Sequence, residues 1–201
     1  MIISHHDNSP SIHKDAWVAP DATICGNVKI GAHSRILWGA RIIAEDGEIT
    51  IGQHNIIMEN AVLRSSIKHP LNIGNHCLIG PNTHVVGCTI EDEAFIATGA
   101  AIFHGAVIGK GAEIRVNGIV HLRSHLQAGE TVPINWVAVG NPAEIFPPDQ
   151  HDKIWSIQKP LNFPQYVYDL DRNEEQLMKK VTEGISNRLI THKHDQILKE
   201  S

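Results

Sequence analysis

Fourteen histidines among 201 residues are the main chemical resource of this chain. Near neutral pH an imidazole can take a proton as a general base, bind a divalent metal through a lone pair, or switch charge. Several of these histidines hold fixed places in a repeat. An aliphatic residue returns every sixth position at Ile73, Ile79 and Val85, then at Ile90, Ile96, Ile102, Ile108, Ile114, Val120, Leu126 and Val132, with one interval of five before Ile90. His104 stands two residues after Ile102 and His121 one after Val120. His33, His54 and His76 each stand three after an aliphatic of the same series, and Glu93 takes that place one coil later. His69 lies in a loop with the sequence KHPL, and His84 falls at a turn.

Neither the 3.6-residue helical period nor the two-residue strand period produces a fixed return of six. A hexapeptide period belongs to a parallel β-helix, whose coils bury their faces only against one another. The series extends backward through Ile12, Val18, Ile24, Ile30, Ile36 and Ile42, then Ile51, Ile57 and Leu63. With three hexads per coil, three columns follow. The first holds Ile12, Ile30, Ile51, Ile73, Ile90, Ile108 and Leu126. The second holds Val18, Ile36, Ile57, Ile79, Ile96, Ile114 and Val132. The third holds Ile24, Ile42, Leu63, Val85, Ile102 and Val120. The fold class expected is an all-β solenoid, a left-handed parallel β-helix of nearly seven coils over residues 1–147, with a C-terminal α-helical tail over residues 148–201. Two insertions, after Ile42 and after Leu63, leave the solenoid at one corner, and such bulges often build a binding face. In the tail, Leu177, Val181, Ile185 and Leu189 recur every four residues. They predict a helix from about Glu174 to Leu198, capped by Asn173.

The formal charge of −5 argues against a general nucleic-acid or membrane-surface binder. The N-terminal MIISHHDNSP has no basic-then-apolar pattern, and no apolar run approaches the roughly 20 residues of a membrane span. The expectation is a cytoplasmic protein with no membrane and no nucleic-acid partner. Cys25, Cys77 and Cys88 lack zinc-finger spacing and read as reduced packing residues.

The hexads, the segment GNHCLIGPNTHVVGCTIEDEAFIATGAAI and the closing VAVGNPAE resemble the γ-class carbonic anhydrases of the hexapeptide-repeat transferase superfamily, over roughly residues 10–147. The resemblance implies a homotrimer with a small-molecule ligand in each inter-subunit cleft, and zinc held by three histidines. The matching positions here are Arg64, Pro81 and Val86. The family's arginine and aspartate positions match Ile43 and Glu45, and its glutamine–aspartate pair matches Met58-Glu59. Without zinc no bound water is brought to a pKa of ~7, so ordinary carbonic anhydrase activity is expected to be absent. The segment ARIIAEDGEITIGQHNIIMEN also resembles the β-helical subunits at the pointed end of dynactin, which are non-catalytic scaffolds.

Acyltransferases of the superfamily use a histidine base and an acyl-coenzyme A donor, without metal. By that resemblance His104 is the first candidate base and His69 the second. Arg64 is the candidate anion binder, with Glu45 and Glu59 as its candidate partners. Another reading is a displaced zinc site at His104 and His121. It requires a third ligand from an adjoining subunit, where Thr98, Arg115 and Val116 are poor donors. The stacked His33, His54 and His76 read as a solvated polar ladder or as an adventitious metal or pH-sensitive surface.

Overall fold

The computed structural model describes residues 1–199. The chain coils as a left-handed parallel β-helix with three faces. Seven strands form the first face, in which Ile12, Ile30, Ile51, Ile73, Ile90, Ile108 and Leu126 stack in register. Seven form the second face, stacking Val18 through Val132 at the expected positions. On the third face Ile24, Ile42, Leu63, Val85, Ile102 and Val120 stack as expected. That face gains a parallel strand at each end, Ile2–Ser4 and Val137–Val139, so the stack runs from Ile2 to Ala138. Inward aliphatics such as Ile24, Ile57, Ile79 and Ile102 are fully buried, and each seals against the coil above and the coil below.

The corners explain the polar half of the hexad. His33, His54, His76 and Glu93 have φ of 59°, 56°, 58° and 64°, the left-handed conformation that turns the chain from one face to the next. Three coils therefore place three imidazoles over one another, with ring centroids 4.7 and 4.9 Å apart, as an exposed ladder on one corner. Cys25, Cys77 and Cys88 are free thiols and buried.

The tail differs from the helix expected over residues 174–198. Helix α1 (His151–Gln158) packs Ile154 and Ile157 on Val137, Val139 and Ile119 of the third face. Helix α2 (Phe163–Tyr168) crosses the corner that follows that face. Helix α3 (Leu177–Leu189) then buries Val181. Its first turn begins three residues later than expected, because the Asn173 N–H donates to Asp171 Oδ1 at 2.8 Å in a local turn and Gln176 occupies the cap. It ends early because residues 190–194 tighten into a 3₁₀ turn and Gln196–Lys199 pairs antiparallel with Ile2–Ser4. An open strand edge is a strong template for pairing, and here it outcompetes the helical pattern. The tail thus runs back along the solenoid from its last coil to its first.

Candidate functional site

Two further groups of histidines gather along the corner between the third and first faces. The insertions after Ile42 and Leu63 emerge there. A third emerges between Ile2 and Ile12, and it closes by a His5–Asn8 bridge as the Leu63 loop closes by a Ser66–His69 bridge. The tail covers this corner and divides it into two histidine clusters.

The middle cluster contains His69 and His104, with ring centroids 5.1 Å apart. Gly87 permits the approach: a Cβ there would stand 2.5 Å from His69 Cβ and 3.3 Å from His104 Cδ2. Helix α2 roofs the pair. Tyr166 packs on His69 at 4.6 Å between ring centroids, and its carbonyl oxygen lies 3.3 Å from His69 Nε2. Arg123 lies over the Tyr166 ring at 5.3 Å. A cleft of about 160 Å³ opens beside the pair, lined by Lys68, His69, Asn72, Thr89 and Tyr166 among others. His104 Nδ1 and His121 Nδ1 are buried without a hydrogen-bond partner. Burial pushes the His104 imidazole down to about 4, helped by His69 and His84, and burial alone brings His121 to about 4. His69 is lowered by burial, and His84 is lowered by burial and by Arg64. These rings are therefore neutral bases at physiological pH.

The second cluster lies at the N-terminal end of the same corner. His5 Nδ1 meets Asp195 Oδ1 at 2.6 Å, and His192 Nδ1 meets Asp195 Oδ2 at 2.7 Å. His192 Nε2 reaches Glu45 Oε2 at 3.2 Å, and the Arg64 guanidinium donates to Glu45 Oε1 at 2.8 Å. Burial works against the charged form of His192, but its bonds to Asp195 and Glu45 prevail and raise its pKa. Burial works against the charged form of Asp195 too, but its contacts with His192 and His5 prevail and lower its pKa. Burial, with Asp195 and Glu45 nearby, pushes the Cys25 thiol up to about 12, so it stays protonated. A cavity of about 270 Å³ separates the clusters, bordered by Glu45, Asp46, Lys68, Tyr168, Lys180 and Arg188.

Of the residues singled out in the sequence, His69 and His104 meet, and Arg64 meets Glu45. Glu59 sits a corner away, where its carbonyl accepts the Asn82 N–H at 3.0 Å. Arg64 and Val86 are register partners on neighbouring strands, while Pro81 follows the second-face strand Leu78–Ile79 at that other corner. The donor chemistry of these three positions does not fit zinc: a guanidinium offers no lone pair, and proline and valine side chains offer no ligand atom. Among the described residues, the groups within metal-ligand reach of one another are His5–His192–Asp195 and His5–His6–Asp46, neither of which includes His104 or His121. Sequence reasoning missed His5, His192 and Asp195, since they lie outside the hexads. The one available signal was the ten-residue spacing of Ile2 and Ile12, which repeats that of Leu63 and Ile73.

No protein-family model matches the chain. Gamma carbonic anhydrase 1, mitochondrial, of Arabidopsis thaliana is 33% identical over 143 residues, 68% of this chain and 50% of the plant protein. An uncharacterised Dictyostelium discoideum protein is 30% identical over 189 residues, 92% of this chain and 73% of its own. The chain spans about half the length of the plant relatives it matches. Among solved structures, a Bacillus cereus protein described as a candidate acetyltransferase superposes with a TM-score of 0.57 at 23% identity, covering 94% of this chain and 98% of its own. That likeness is one of fold. No described helix is long and apolar enough to cross a membrane.

Proposed function

This chain belongs to the γ-carbonic-anhydrase-like proteins of the hexapeptide-repeat superfamily, and from that premise we propose that it transfers an acyl group from coenzyme A, with His104 as the general base. The observation that carries this reading is the buried, unpartnered Nδ1 of His104, on a neutral ring packed against His69, which lines an open cleft. A neutral imidazole with a free lone pair can take the proton from an acceptor hydroxyl or amine as that group attacks the thioester carbonyl. The coenzyme A thiolate then leaves, and the imidazolium returns the proton to it. His69 lines the cleft, and Lys68, which also lines it, offers positive charge to an anionic donor only after leaving its Asp169 partner. Arg64 contributes to anion binding only after exchanging its Glu45 partner for substrate.

The working form in this reading is a cytoplasmic homotrimer with the ligand in each inter-subunit cleft. Supporting it, Trp17, Phe95, Trp38, Val116 and Ile134 are exposed along the second face and its following corner. The side chains of Arg64, Pro81 and Val86 offer zinc no ligand atom, which supports a reading without hydratase chemistry at those positions. A non-catalytic scaffold of dynactin type is the second reading, favoured by the Arg64–Glu45 pair that fills one former ligand position.

The test is thermal-shift titration with acetyl-coenzyme A and longer acyl-coenzyme A esters, followed by thiol release in the presence of sugar and amine acceptors. A ligand at 100 times its Kd stabilises by about 2.7 kcal/mol. Stabilisation with thiol release supports transfer. No shift with any acyl ester leaves the scaffold reading standing instead.

A further inference from the structure

The geometry points to a second, metal-binding function for the chain: His5, His192 and Asp195 form a site for a divalent cation of the zinc class that ties the two ends of the chain together. Their ligand atoms all lie within 4.8 Å of one another. Both Nδ1 atoms converge on one carboxylate, at 2.6 and 2.7 Å from its two oxygens, and the two rings stack with centroids 4.2 Å apart. Two imidazole nitrogens and one carboxylate oxygen are a donor set that zinc accepts at about 2.0–2.2 Å, leaving a fourth position for water. An ion bonded to all three would hold neighbouring ligand atoms about 3.3 Å apart, so each His Nδ1 and the Asp195 carboxylate must part by about 0.7 Å from the 2.6 and 2.7 Å they keep here.

The surroundings are those of a built site. His5 is 3% exposed, in the loop that leaves the first strand of the third face. Asp195 and His192 come from the last turn before the closing strand, so donors about 190 residues apart meet at one point. The far nitrogen of His192 faces Glu45 at 3.2 Å, and Glu45 is itself held by Arg64 at 2.8 Å. A carboxylate on the outer nitrogen fixes which nitrogen is free to ligate and orients the ring, the usual outer shell of a metal-bound histidine. Each ligating Nδ1 must be free of its proton, so binding expels the protons that bridge to Asp195 and weakens as pH falls. The neighbouring His5–His6–Asp46 group shares one ligand, but its His6 is exposed, so the ion is assigned to the more enclosed trio.

This assignment is independent of the acyl-transfer reading. It is tested on the untagged full chain, stripped with chelator and titrated with Zn²⁺ against a chromogenic chelator, with bound metal counted by mass spectrometry. One tight zinc per chain is expected. Affinity should fall at least 100-fold in Asp195→Asn and in His192→Gln. It should be unchanged in His6→Gln and in His54→Gln, the latter disabling the exposed His33–His54–His76 ladder. Circular dichroism establishes that each variant is folded, and His192→Gln decides if Asp195→Asn is not. Zinc should also protect the 190–199 segment from protease in the wild type and not in His192→Gln. Wild-type affinity in His192→Gln, loss of the tight ion in His54→Gln, or no tight zinc in the wild type would each overturn the assignment.

Discussion

The two histidine clusters on one corner received the same residue type and turned it to opposite ends. At the N-terminal end every functional imidazole nitrogen of His192 faces a carboxylate, and the ring favours its charged form. In the middle, His104 and His121 have burial without an acid, and their rings are held neutral. The solenoid is the same in both places. The difference comes from what the tail lays over the corner. Residues 192–195 bring Asp195 to the first coils, whereas α2 brings Tyr166 and Phe163 to the later ones. An acid beside imidazole makes a clamp, while an aromatic roof makes a base.

The largest effect expected from breaking this contrast is at His104. His104→Ala should lower acyl-transfer kcat by about 10²–10⁴-fold while leaving acyl-coenzyme A binding near wild type. Steady-state kinetics and thermal shift on the same sample measure both. A rate that survives His104→Ala and falls in His69→Ala would move the base to the neighbouring ring.

Removing the acid from the other cluster comes next. Asp195→Asn leaves the buried His5 without its charged acceptor, and should cost about 1–3 kcal/mol in denaturant unfolding. Protease should then cut the tail near residues 190–195 first, because the segment holds its place through this junction. Unchanged cleavage would mean that pairing of Gln196–Lys199 with Ile2–Ser4 suffices alone.

The pH response of the two halves should differ in sign. His192 has a raised pKa, so its contribution is complete below the ordinary value of about 6.5 and is lost as pH rises through the raised one. Asp195 has a lowered pKa, so its contribution holds above the ordinary carboxylate value and is lost only as pH falls through the lowered one. His104 and His121 are lowered instead, so the unfolded chain binds more protons and their neighbourhood loses stability as pH falls from about 6.5 toward about 4. As pH falls from 6.5 to 4.5, amide protection relative to the intrinsic exchange rate should drop near Phe103 and Leu122 before it does near Gln196. The reverse order would remove the contrast. The smallest effect is expected in the exposed ladder, where His54→Gln should leave the melting temperature unchanged within measurement.

The solenoid was legible in the chain because its period is set by inward packing. Each aliphatic from Ile12 to Val132 must face the one below, so spacing alone fixes the register, the faces and the stack of His33, His54 and His76. The nearness of His69 to His104 followed in part, since both were assigned to one corner. The tail was legible only as far as Val181 and its stripe. Its final strand depended on an open edge at Ile2–Ser4, a tertiary opportunity that no local pattern in residues 190–199 records. His5 and Asp195 escaped for the same reason: their meeting is made by how the tail returns, and neither sits in the repeat.

A site-resolved NMR titration of the imidazole rings in the metal-free protein tests the contrast most directly. The account predicts that His104 stays neutral down to about pH 4, while His192 keeps its proton above the ordinary value of about 6.5. A His104 ring that titrates at or above 6.5, or a His192 ring already neutral at that pH, would contradict it.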